Sequence, residues 1–222
     1  MRKFVPAYEG NLRKHALSVP ACVSECSGIR IFGRRIKSLA FSTDVAIIKN
    51  INADAIIAVY PFTPQPAITQ AIIGVSEVPV FCGVGGGLTN GVRSASMAAY
   101  VEHQGAYGVV CNSKIGVETI HAIKDAVEIP VVYTVISENT DIQPYLTAGV
   151  DIINVSGAAR TPEIVGALRQ RYPELPIIAT GGPTEESILA TIRAGANAIT
   201  YTPPSSASLF AKTMADNRSE LE

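Results

Sequence analysis

The chain alternates eight times between a short apolar run and a longer stretch whose apolar residues have helical spacing. Each apolar run spans four to six residues, is rich in Val, Ile and Ala, and is typical of a buried strand. The predicted strands are residues 37–42, 55–60, 79–83, 107–111, 130–135, 151–155, 177–180 and 198–202. Strict alternation of strands with helices predicts a parallel sheet that carries its helices on the outside.

Eight strand–helix units are the number that closes into a (β/α)8 barrel, so we expect an α/β TIM barrel over residues 36–222. An open doubly wound sheet is the alternative fold, and it usually has fewer units and a switch point. A glycine ends a predicted helix just before a strand at three places, as either fold requires: Gly105, Gly149 and Gly195. A composition of 47% hydrophobic and 17% charged residues suits parallel strands that are buried on both faces.

Residues 1–35 do not follow the alternation and predict an N-terminal extension. Residues 11–23 are compatible with a short helix that Pro20 interrupts. Residues 28–35 alternate apolar and basic side chains around Gly33, which predicts a small ribbon that turns there. We expect this helix and ribbon to form a lid over the bottom of the barrel. A ribbon of this kind also suits contact with a partner or with a second copy in a homo-oligomer.

The overall composition argues against several classes of function. A net charge of −1 disfavours nucleic acid or an anionic membrane as partner, and the absence of Trp disfavours a base-stacking platform. The four cysteines have neither paired CxxC spacing nor neighbouring histidines, which indicates reduced thiols in a cytoplasmic protein without a metal site. No signal peptide or transmembrane run is expected. We also expect no cofactor.

A pair of glycines gives the first indication of a binding site. Residues 176–188 run from a short apolar strand through Gly181 and Gly182 into an amphipathic helix. Glycine lets the backbone approach a ligand closely, and the start of a helix carries partial positive charge. This turn therefore suits a phosphate or a carboxylate.

The end of the chain resembles a known group of barrels. Residues 167–182 read ALRQRYPELPIIATGG, and a helix and AGANAIT follow. This segment is similar to the last quarter of phosphate-binding TIM barrels, nearest to the KDPG aldolase branch and more loosely to thiamine-phosphate synthase. The resemblance implies that the turns after the seventh and eighth strands hold a substrate phosphate, through Gly181, Gly182, Thr202, Ser205 and Ser206.

The chain departs from that family in two places. Pro203 and Pro204 occupy the turn after the eighth strand, and proline has no N–H to donate. The aldolases carry a lysine that forms a Schiff base on the sixth strand, whereas residues 151–156 contain no lysine. The aldolase mechanism is therefore not predicted at that position.

Catalytic residues of a TIM barrel lie at the carboxyl ends of its strands. The polar or reactive side chains predicted there are Ser42, Tyr60, Cys82, Cys111, Asn112, Lys114, Thr134, Asn154, Ser156, Thr180 and Thr202. His15, His103 and His121 fall outside this set, which disfavours histidine chemistry and a Ser-His-Asp triad. Three carboxylates just beyond strands are better explained as helix-start residues, namely Asp44, Glu138 and Asp141.

Two lysines and two cysteines are candidates for covalent chemistry. Lys114 follows the fourth strand, where it suits an anion partner or an imine former, although a solvated loop lysine is equally consistent. Lys37 lies in the first strand and would take such a role only if it points inward. Cys82 and Cys111 end adjacent strands and would be nucleophiles if they face one another across the mouth, although buried cysteine is commonly a small apolar filler.

A glycine-rich loop completes the predicted site. Residues 83–91 are rich in glycine and include Gly85, Gly86 and Gly87. So many glycines indicate a backbone that approaches a ligand closely or a mobile lid. Arg93 follows as a candidate anion clamp. Asn154 and Ser156, after the sixth strand, are expected to orient the substrate.

Three functions remain open on these patterns. The first is a barrel enzyme, a lyase, aldolase or isomerase, that acts on a small phosphorylated or carboxylated metabolite. The second is a hydrolase or transferase that uses Cys82 or Cys111 as nucleophile. The third is a regulatory barrel that binds a ligand without turnover, suggested by the scarcity of acids and bases at the predicted mouth.

Overall fold

The computed structural model describes residues 4–8, 10 and 16–219. Eight parallel strands form the barrel: β3 (Ser38–Phe41), β4 (Ala55–Ala58), β5 (Val80–Gly85), β6 (Gly108–Cys111), β7 (Val131–Val135), β8 (Ile152–Val155), β9 (Ile177–Thr180) and β10 (Ala198–Tyr201). They close in the order β10-β3-β4-β5-β6-β7-β8-β9, which confirms the predicted TIM barrel. Every one of them overlaps a strand expected from the sequence.

A helix follows each barrel strand. The helices are α1 (Val45–Asn50), α2 (Pro66–Val75), α3 (Val92–His103), α4 (Val117–Ala126), α5 (Gln143–Thr147), α6 (Thr161–Arg171), α7 (Glu185–Arg193) and α8 (Ser206–Ser219). Because each helix starts where a strand ends, the helix N-termini surround the carboxyl ends of the strands. That end is called the mouth below.

Local sequence signals mislead at two helix starts. Thr63 and Pro64 have the pattern of a cap and a first helical residue, but α2 begins at Pro66, after the extended Gln65, whose N–H donates to the Tyr60 hydroxyl at 2.9 Å. Asn139 has the pattern of a helix start, whereas α5 begins at Gln143.

Alternate residues of each strand belong to two separate cores. One core lies between the barrel and its helices and includes Cys82, Cys111 and Tyr133. The other fills the barrel interior with Leu39, Ala55, Ile57, Phe81, Val110, Val132, Ile152, Ile178 and Ala198. Side chains that belong to the outer core cannot reach the mouth through the interior, so this division decides which candidates can form a site.

The end of the barrel where the strands begin is covered by a hairpin. Strands β1 (Ile29–Ile31) and β2 (Arg34–Ile36) pair antiparallel around a turn at Phe32 and Gly33, both of which have positive φ. Ile31 and Ile36 are buried in the interior core. Part of the helix expected over residues 11–23 lies outside the described residues. In the described part, residues 16–20 are not helical, contrary to the expectation, and residues 21–23 belong to a 3-10 helix, Ala21–Glu25.

Polar residues that precede strands satisfy the backbone at this lower end. Asp54, before β4, accepts the N–H groups of Lys37 and Ser38 at 2.8 and 3.0 Å. Asp151, before β8, accepts the Val131 N–H at 2.8 Å. The same arrangement recurs before β10, where Asn197 accepts from Ile177 at 2.9 Å. These carboxylates and amides are therefore structural, since they pair strand N–H groups that would otherwise lack partners.

Among the residues the structure describes, no helix is both long enough and apolar enough to cross a membrane.

Candidate functional site

A cavity of about 270 Å³ opens at the mouth. It is lined by Phe41, Ile57, Val59, Tyr60, Phe62, Pro64, Gly83, Gly85, Gly86, Val110, Asn112, Thr134, Asn154, Ser156, Thr180, Thr200 and Thr202. A concave, partly apolar pocket with a few convergent polar groups is the usual form of a small-molecule site, and its position at the strand carboxyl ends is that of TIM-barrel active sites.

The cavity has two unlike walls. Strands β3 to β6 and the segments after them contribute mainly apolar side chains and glycines, such as Phe41, Ile57 and Phe62. Strands β7 to β10 contribute the hydroxyl and amide groups of Thr134, Asn154, Ser156, Thr180, Thr200 and Thr202. These are called the apolar wall and the polar wall below. A ligand that fits both walls has one apolar side and one side rich in hydrogen-bonding groups.

Two polar atoms of the polar wall are buried without a partner. The Asn154 side chain donates to the Thr134 hydroxyl at 3.3 Å, but its carboxamide oxygen accepts nothing. The Thr200 hydroxyl is also unpaired. The two residues are 8% and 6% exposed, and the two unpaired atoms are themselves buried. An unsatisfied buried polar group costs about 1–3 kcal/mol, a cost that a ligand in the cavity would remove.

The lining carries little charge. Of the described residues that line the cavity, none is Asp, Glu, His, Lys or Arg, and Tyr60 is the titratable one. No three His, Cys, Asp or Glu side chains of the described chain come together so as to hold a metal ion. Hydrogen bonding by neutral groups therefore dominates the chemistry that this wall offers.

The two predicted thiol nucleophiles do not face the mouth. Cys82 and Cys111 are 1% and 0% exposed and belong to the outer core. Of the two alternatives, they are therefore buried fillers and do not face one another across the mouth. Burial raises the pKa of each thiol to about 12. Deeply buried thiols of this kind act as small apolar fillers.

The burial of these thiols predicts slow alkylation. In a variant with both Cys22→Ala and Cys26→Ala, we expect native Cys82 and Cys111 to react with a thiol reagent at pH 8 more than about a hundredfold more slowly than an exposed thiol. Unfolding in denaturant should restore fast reaction of both. Stoichiometric labelling of the native variant within minutes would contradict the placement of these side chains.

The two lysines are also outside the cavity. The Lys37 ammonium donates to the Ser24 carbonyl oxygen at the lower end of the barrel. The alternative in which Lys37 points inward and takes part in chemistry at the mouth is therefore wrong. Lys114 is exposed in the loop after β6 and does not line the cavity. Its backbone N–H donates to the Asn112 carboxamide oxygen at 3.2 Å, which helps to fix Asn112 at the cavity edge.

The loop after β6 is anchored by two stacked tyrosines of the outer core. The rings of Tyr133 and Tyr145 lie 4.1 Å apart and almost parallel. Their hydroxyls donate to the carbonyl oxygens of Ser113 and Ile115 at 3.3 and 3.2 Å. This support holds Asn112 where the polar and apolar walls meet.

The glycine-rich loop contributes backbone to the cavity. Gly85 and Gly86 line it, whereas Gly87 does not, and Arg93 is exposed on α3 outside it. A side chain at Gly86 would meet Asn112 at 2.4 Å, and its φ of 96° is itself unfavourable for other residues. Glycine is therefore required there for packing as well as for access to the cavity.

The Gly-Gly turn after β9 lies outside the cavity lining, and its first N–H is engaged within the protein. The Gly181 N–H donates to the Thr200 carbonyl oxygen at 3.2 Å, and a Cβ at Gly181 would lie 2.8 Å from Ile188. Gly182 has a φ of 84° and also lies outside the cavity lining. At the start of α7 a capping box joins Thr184 and Ser187. Gly181 thus serves close packing and has no free N–H for an anion, whereas the phosphate role expected of Gly182 stays a prediction.

The start of α8 is occupied by a carboxylate of the chain. The Ser206 N–H donates to Asp44 Oδ2 at 3.1 Å. Asp44 Oδ1 accepts from Ala46 and Ile47 at 3.0 and 3.3 Å, so the same side chain caps α1, as expected. A hydrogen bond from the Ser206 side chain is the main cause that holds the pKa of Asp44 below its usual value. Ser205 and Ser206 do not line the cavity, whereas Thr202 does.

The other titratable candidates have structural partners. Glu138 pairs with Arg160 across neighbouring loops, and Asp141 accepts from the Gln143 N–H at 3.1 Å. His121 pairs with Asp125 on the surface of α4, and His103 contacts the Ala99 carbonyl oxygen. His15 lies outside the described residues.

Sequence patterns did not reveal Thr200 or the apolar wall, because a strand buried on both faces does not show which of its residues point inward.

No protein-family model matches the chain, and no curated protein matches it in sequence. Solved structures match it in fold. A 2,3-dimethylmalate lyase of the PEP mutase/isocitrate lyase superfamily superimposes with a TM-score of 0.63 at 15% identity, over 83% of this chain and 81% of that one. A phosphonopyruvate hydrolase, in complex with oxalate and Mg²⁺, gives a TM-score of 0.62 at 16% identity, over 82% and 80%.

A phosphoenolpyruvate phosphomutase from Streptomyces platensis subsp. rosaceus gives a TM-score of 0.61 at 16% identity, over 82% of this chain and 80% of that one. At these identities the likeness concerns the fold alone. The specific resemblance to KDPG aldolases stays a prediction from the sequence. The chain is a TIM barrel, and it shares this fold with these three solved structures.

Proposed function

We propose that the protein is a lyase- or aldolase-type enzyme that acts, in the mouth cavity, on a small hydroxy- or oxo-carboxylic acid with an apolar substituent. The observation that carries the proposal is the pair of buried, unpartnered polar atoms on the polar wall, Asn154 Oδ1 and Thr200 Oγ1. The first is an acceptor and the second can donate, so a ligand with both a hydroxyl and a carboxylate would satisfy both.

The polar wall supports a particular orientation of such a ligand. A substrate hydroxyl would donate to Asn154 Oδ1, and the carboxylate would accept from the hydroxyls of Thr180, Thr200 and Thr202. The apolar substituent would lie against Phe41 and the rest of the apolar wall. Neutral hydroxyls suffice to bind a single carboxylate, because hydrogen bonds to an ionised acceptor are stronger than those between two neutral groups.

Cleavage of a carbon–carbon bond next to a hydroxyl-bearing carbon requires that the hydroxyl proton be removed and that the electron pair be held on the departing carbon. Tyr60 is the titratable side chain in the lining, and we assign it a proton relay. Its phenol oxygen accepts the substrate hydroxyl proton while its own proton passes to the departing carbon, so the carbon–carbon bond breaks and a carbonyl compound and a shortened acid are released. The threonine hydroxyls would stabilise the charge that develops on the carboxylate side. The three fold neighbours, a lyase, a hydrolase and a phosphomutase, support a reaction on a small acid by analogy only.

A regulatory barrel that binds the same ligand without turnover is the second candidate. It is favoured by the absence of Asp, Glu, His, Lys and Arg from the described lining, which leaves little acid–base capacity. A Cys-dependent hydrolase or transferase is not proposed, because both candidate thiols lie in the outer core.

The test is a thermal-shift panel of matched compounds: hydroxy acids, their deoxy analogues, their primary amides and their phosphate esters. Ligand at about a hundred times its dissociation constant stabilises by roughly 2.7 kcal/mol, which is easily measured. We expect hydroxy acids to stabilise the protein more than their deoxy or amide counterparts. A carbonyl product released by the wild type and lost in Tyr60→Phe would select the enzyme. Binding without product would select the regulatory barrel, and no stabilisation by any acid would refute the assigned substrate class.

A further inference from the structure

The hairpin of β1 and β2 concentrates positive charge at the lower end of the barrel. Residues 28–37 contain no Asp or Glu and four cations, namely Arg30, Arg34, Arg35 and Lys37. The net charge of the whole chain is −1, so this segment differs from the rest. The hairpin closes the barrel with its other side, where Ile31 and Ile36 are buried. Closing the barrel therefore does not require the cations.

Three of these cations share the solvent side of the hairpin. Arg30 and Arg35 lie directly opposite one another in the register of the two strands, so their side chains project from the same face. A Cβ added at Gly28 would meet the side chains of Arg35 and Lys37 at 2.8 and 3.2 Å, which places Lys37 on that face too. Arg30, Arg35 and Lys37 are called the basic face below. Like charges that are directly opposite one another destabilise a sheet, so this arrangement has a cost in the free protein.

The partners of the basic face within the chain are neutral. The Arg35 Nε group donates to the Ser27 carbonyl oxygen at 2.6 Å, and the Lys37 ammonium donates to that of Ser24. Among the residues that the structure describes, no ion pair joins the basic face to a carboxylate. Carbonyl oxygens hold the side chains in place without neutralising them, so the face stays positive.

The tip of the hairpin presents an aromatic ring on an unfavourable backbone. Phe32 has a φ of 45°, which a bulky side chain rarely adopts, and it is 62% exposed. Its ring meets that of Tyr107 edge-on at 5.5 Å, and the Arg34 guanidinium lies 5.9 Å from the centre of the Tyr107 ring. Strained residues cluster at functional sites. An exposed ring held in this way beside a cation is suited to contact with a partner.

A groove of about 190 Å³ lies next to this tip. Arg34 and Tyr107 line it together with mainly apolar residues, among them Ile73, Val78, Pro79 and Val80. Glu77 also lines the groove and pairs with Lys49 at 2.5 Å. The groove therefore suits an apolar side chain better than a carboxylate.

We propose that the hairpin is the docking surface for an acidic segment of a partner protein. Carboxylates of that segment would pair with the basic face, and an apolar side chain would pack against Phe32 and the groove. Charge complementarity determines the choice of partner. Each strand of the hairpin has three residues and the net charge of the chain is −1, which suits one short segment better than a membrane or a nucleic acid. The inference is independent of the reaction at the mouth, at the other end of the barrel.

The test selects binders of the whole chain from a random dodecapeptide library displayed on phage, and then measures the synthesised peptides by fluorescence polarisation. We expect the enriched peptides to be rich in Asp and Glu, to contain an apolar residue, and to lose binding when Asp and Glu are replaced with Asn and Gln. They should bind Arg30→Gln about fivefold or more weakly than the wild type. Arg193→Gln is the matched control, because it removes the same charge from an exposed arginine in the last turn of α7, also at the lower end. It should bind as the wild type does.

Two melting temperatures separate docking from a structural role. Arg30→Gln removes a pair of like charges, and Phe32→Asn places a residue that tolerates positive φ at the tip. Neither variant should melt at a lower temperature than the wild type, while Phe32→Asn should also weaken peptide binding about threefold or more. Lower melting temperatures in both variants together with the loss of affinity would make the hairpin a structural plug and overturn the inference.

Three further outcomes would overturn it. The enriched peptides would not be acidic, or they would bind Arg30→Gln as tightly as the wild type. A single-stranded oligonucleotide or phosphatidylserine vesicles would bind the wild type more tightly than any selected peptide. The wild type would self-associate in sedimentation while Arg30→Gln did not, in which case the hairpin binds a second copy of the chain.

Discussion

Replacing Thr200 with valine is expected to make the free protein more stable and its ligand site weaker. The Thr200 hydroxyl is buried without a partner, so its removal relieves a desolvation cost and should stabilise the fold by up to about 1 kcal/mol. The same change removes a hydrogen bond to the ligand and should weaken binding by roughly 10- to 100-fold. Denaturant unfolding and calorimetric titration of a bound hydroxy acid would measure the two effects.

The matched control is Thr191→Val on α7. Thr191 is 1% exposed, but its hydroxyl donates to the Ser187 carbonyl oxygen at 2.9 Å. The same substitution should therefore destabilise the protein by about 1 kcal/mol and leave ligand affinity unchanged. If Thr200→Val also destabilised the fold and left ligand affinity unchanged, Thr200 would be a structural residue of the cavity wall without a role in ligand binding.

Gly108→Ala is expected to cause the largest loss of stability. A Cβ at this position would lie 2.5 and 2.7 Å from ring atoms of Phe81, whose side chain is 1% exposed inside the barrel, and 3.2 Å from a backbone oxygen. Overpacking of this kind costs about 3 kcal/mol, which lowers the melting temperature of a chain of this size by roughly 6–12 °C.

Two further variants identify the cause. Gly166→Ala lies in the middle of α6 with nothing within 4 Å of the added atom, so it should stabilise by about 0.5–1 kcal/mol. Phe81→Leu in the Gly108→Ala background should recover part of the loss, because the two residues are in contact. Equal effects of Gly108→Ala and Gly166→Ala on melting would contradict the packing described for the barrel interior.

The strands could be found from the sequence, but the direction of their side chains could not. Parallel strands buried on both faces are apolar at every position, so alternation carries no signal of inside and outside. For that reason Cys82 and Cys111 were expected at the mouth, and Thr200 was not recognised. The glycines at 83 and 85 are a signal that could have been used, since every second residue of β5 lacks a side chain where the cavity lies.

The contacts of Asp44 and Gly181 show a second reason for the errors. Their local patterns, a helix cap and a tight turn, were visible in the sequence. The hydrogen bond between Asp44 and Ser206 and that between the Gly181 N–H and the Thr200 carbonyl oxygen join different strand–helix units, and only the closed barrel brings them together. Two donors expected for the anion site, the N–H groups of Gly181 and Ser206, therefore have partners that local patterns do not reveal.

The most direct test of the mouth cavity as the ligand site is the side-chain amide signal of Asn154 in a ¹⁵N–¹H spectrum, assigned by its loss in Asn154→Leu. Titration with a stabilising hydroxy acid should shift this signal. The Asn197 amide, which is bound to Ser27 and Arg169 at the opposite end of the barrel, should not move. A hydroxy acid that binds while the Asn154 signal stays in place would contradict the account.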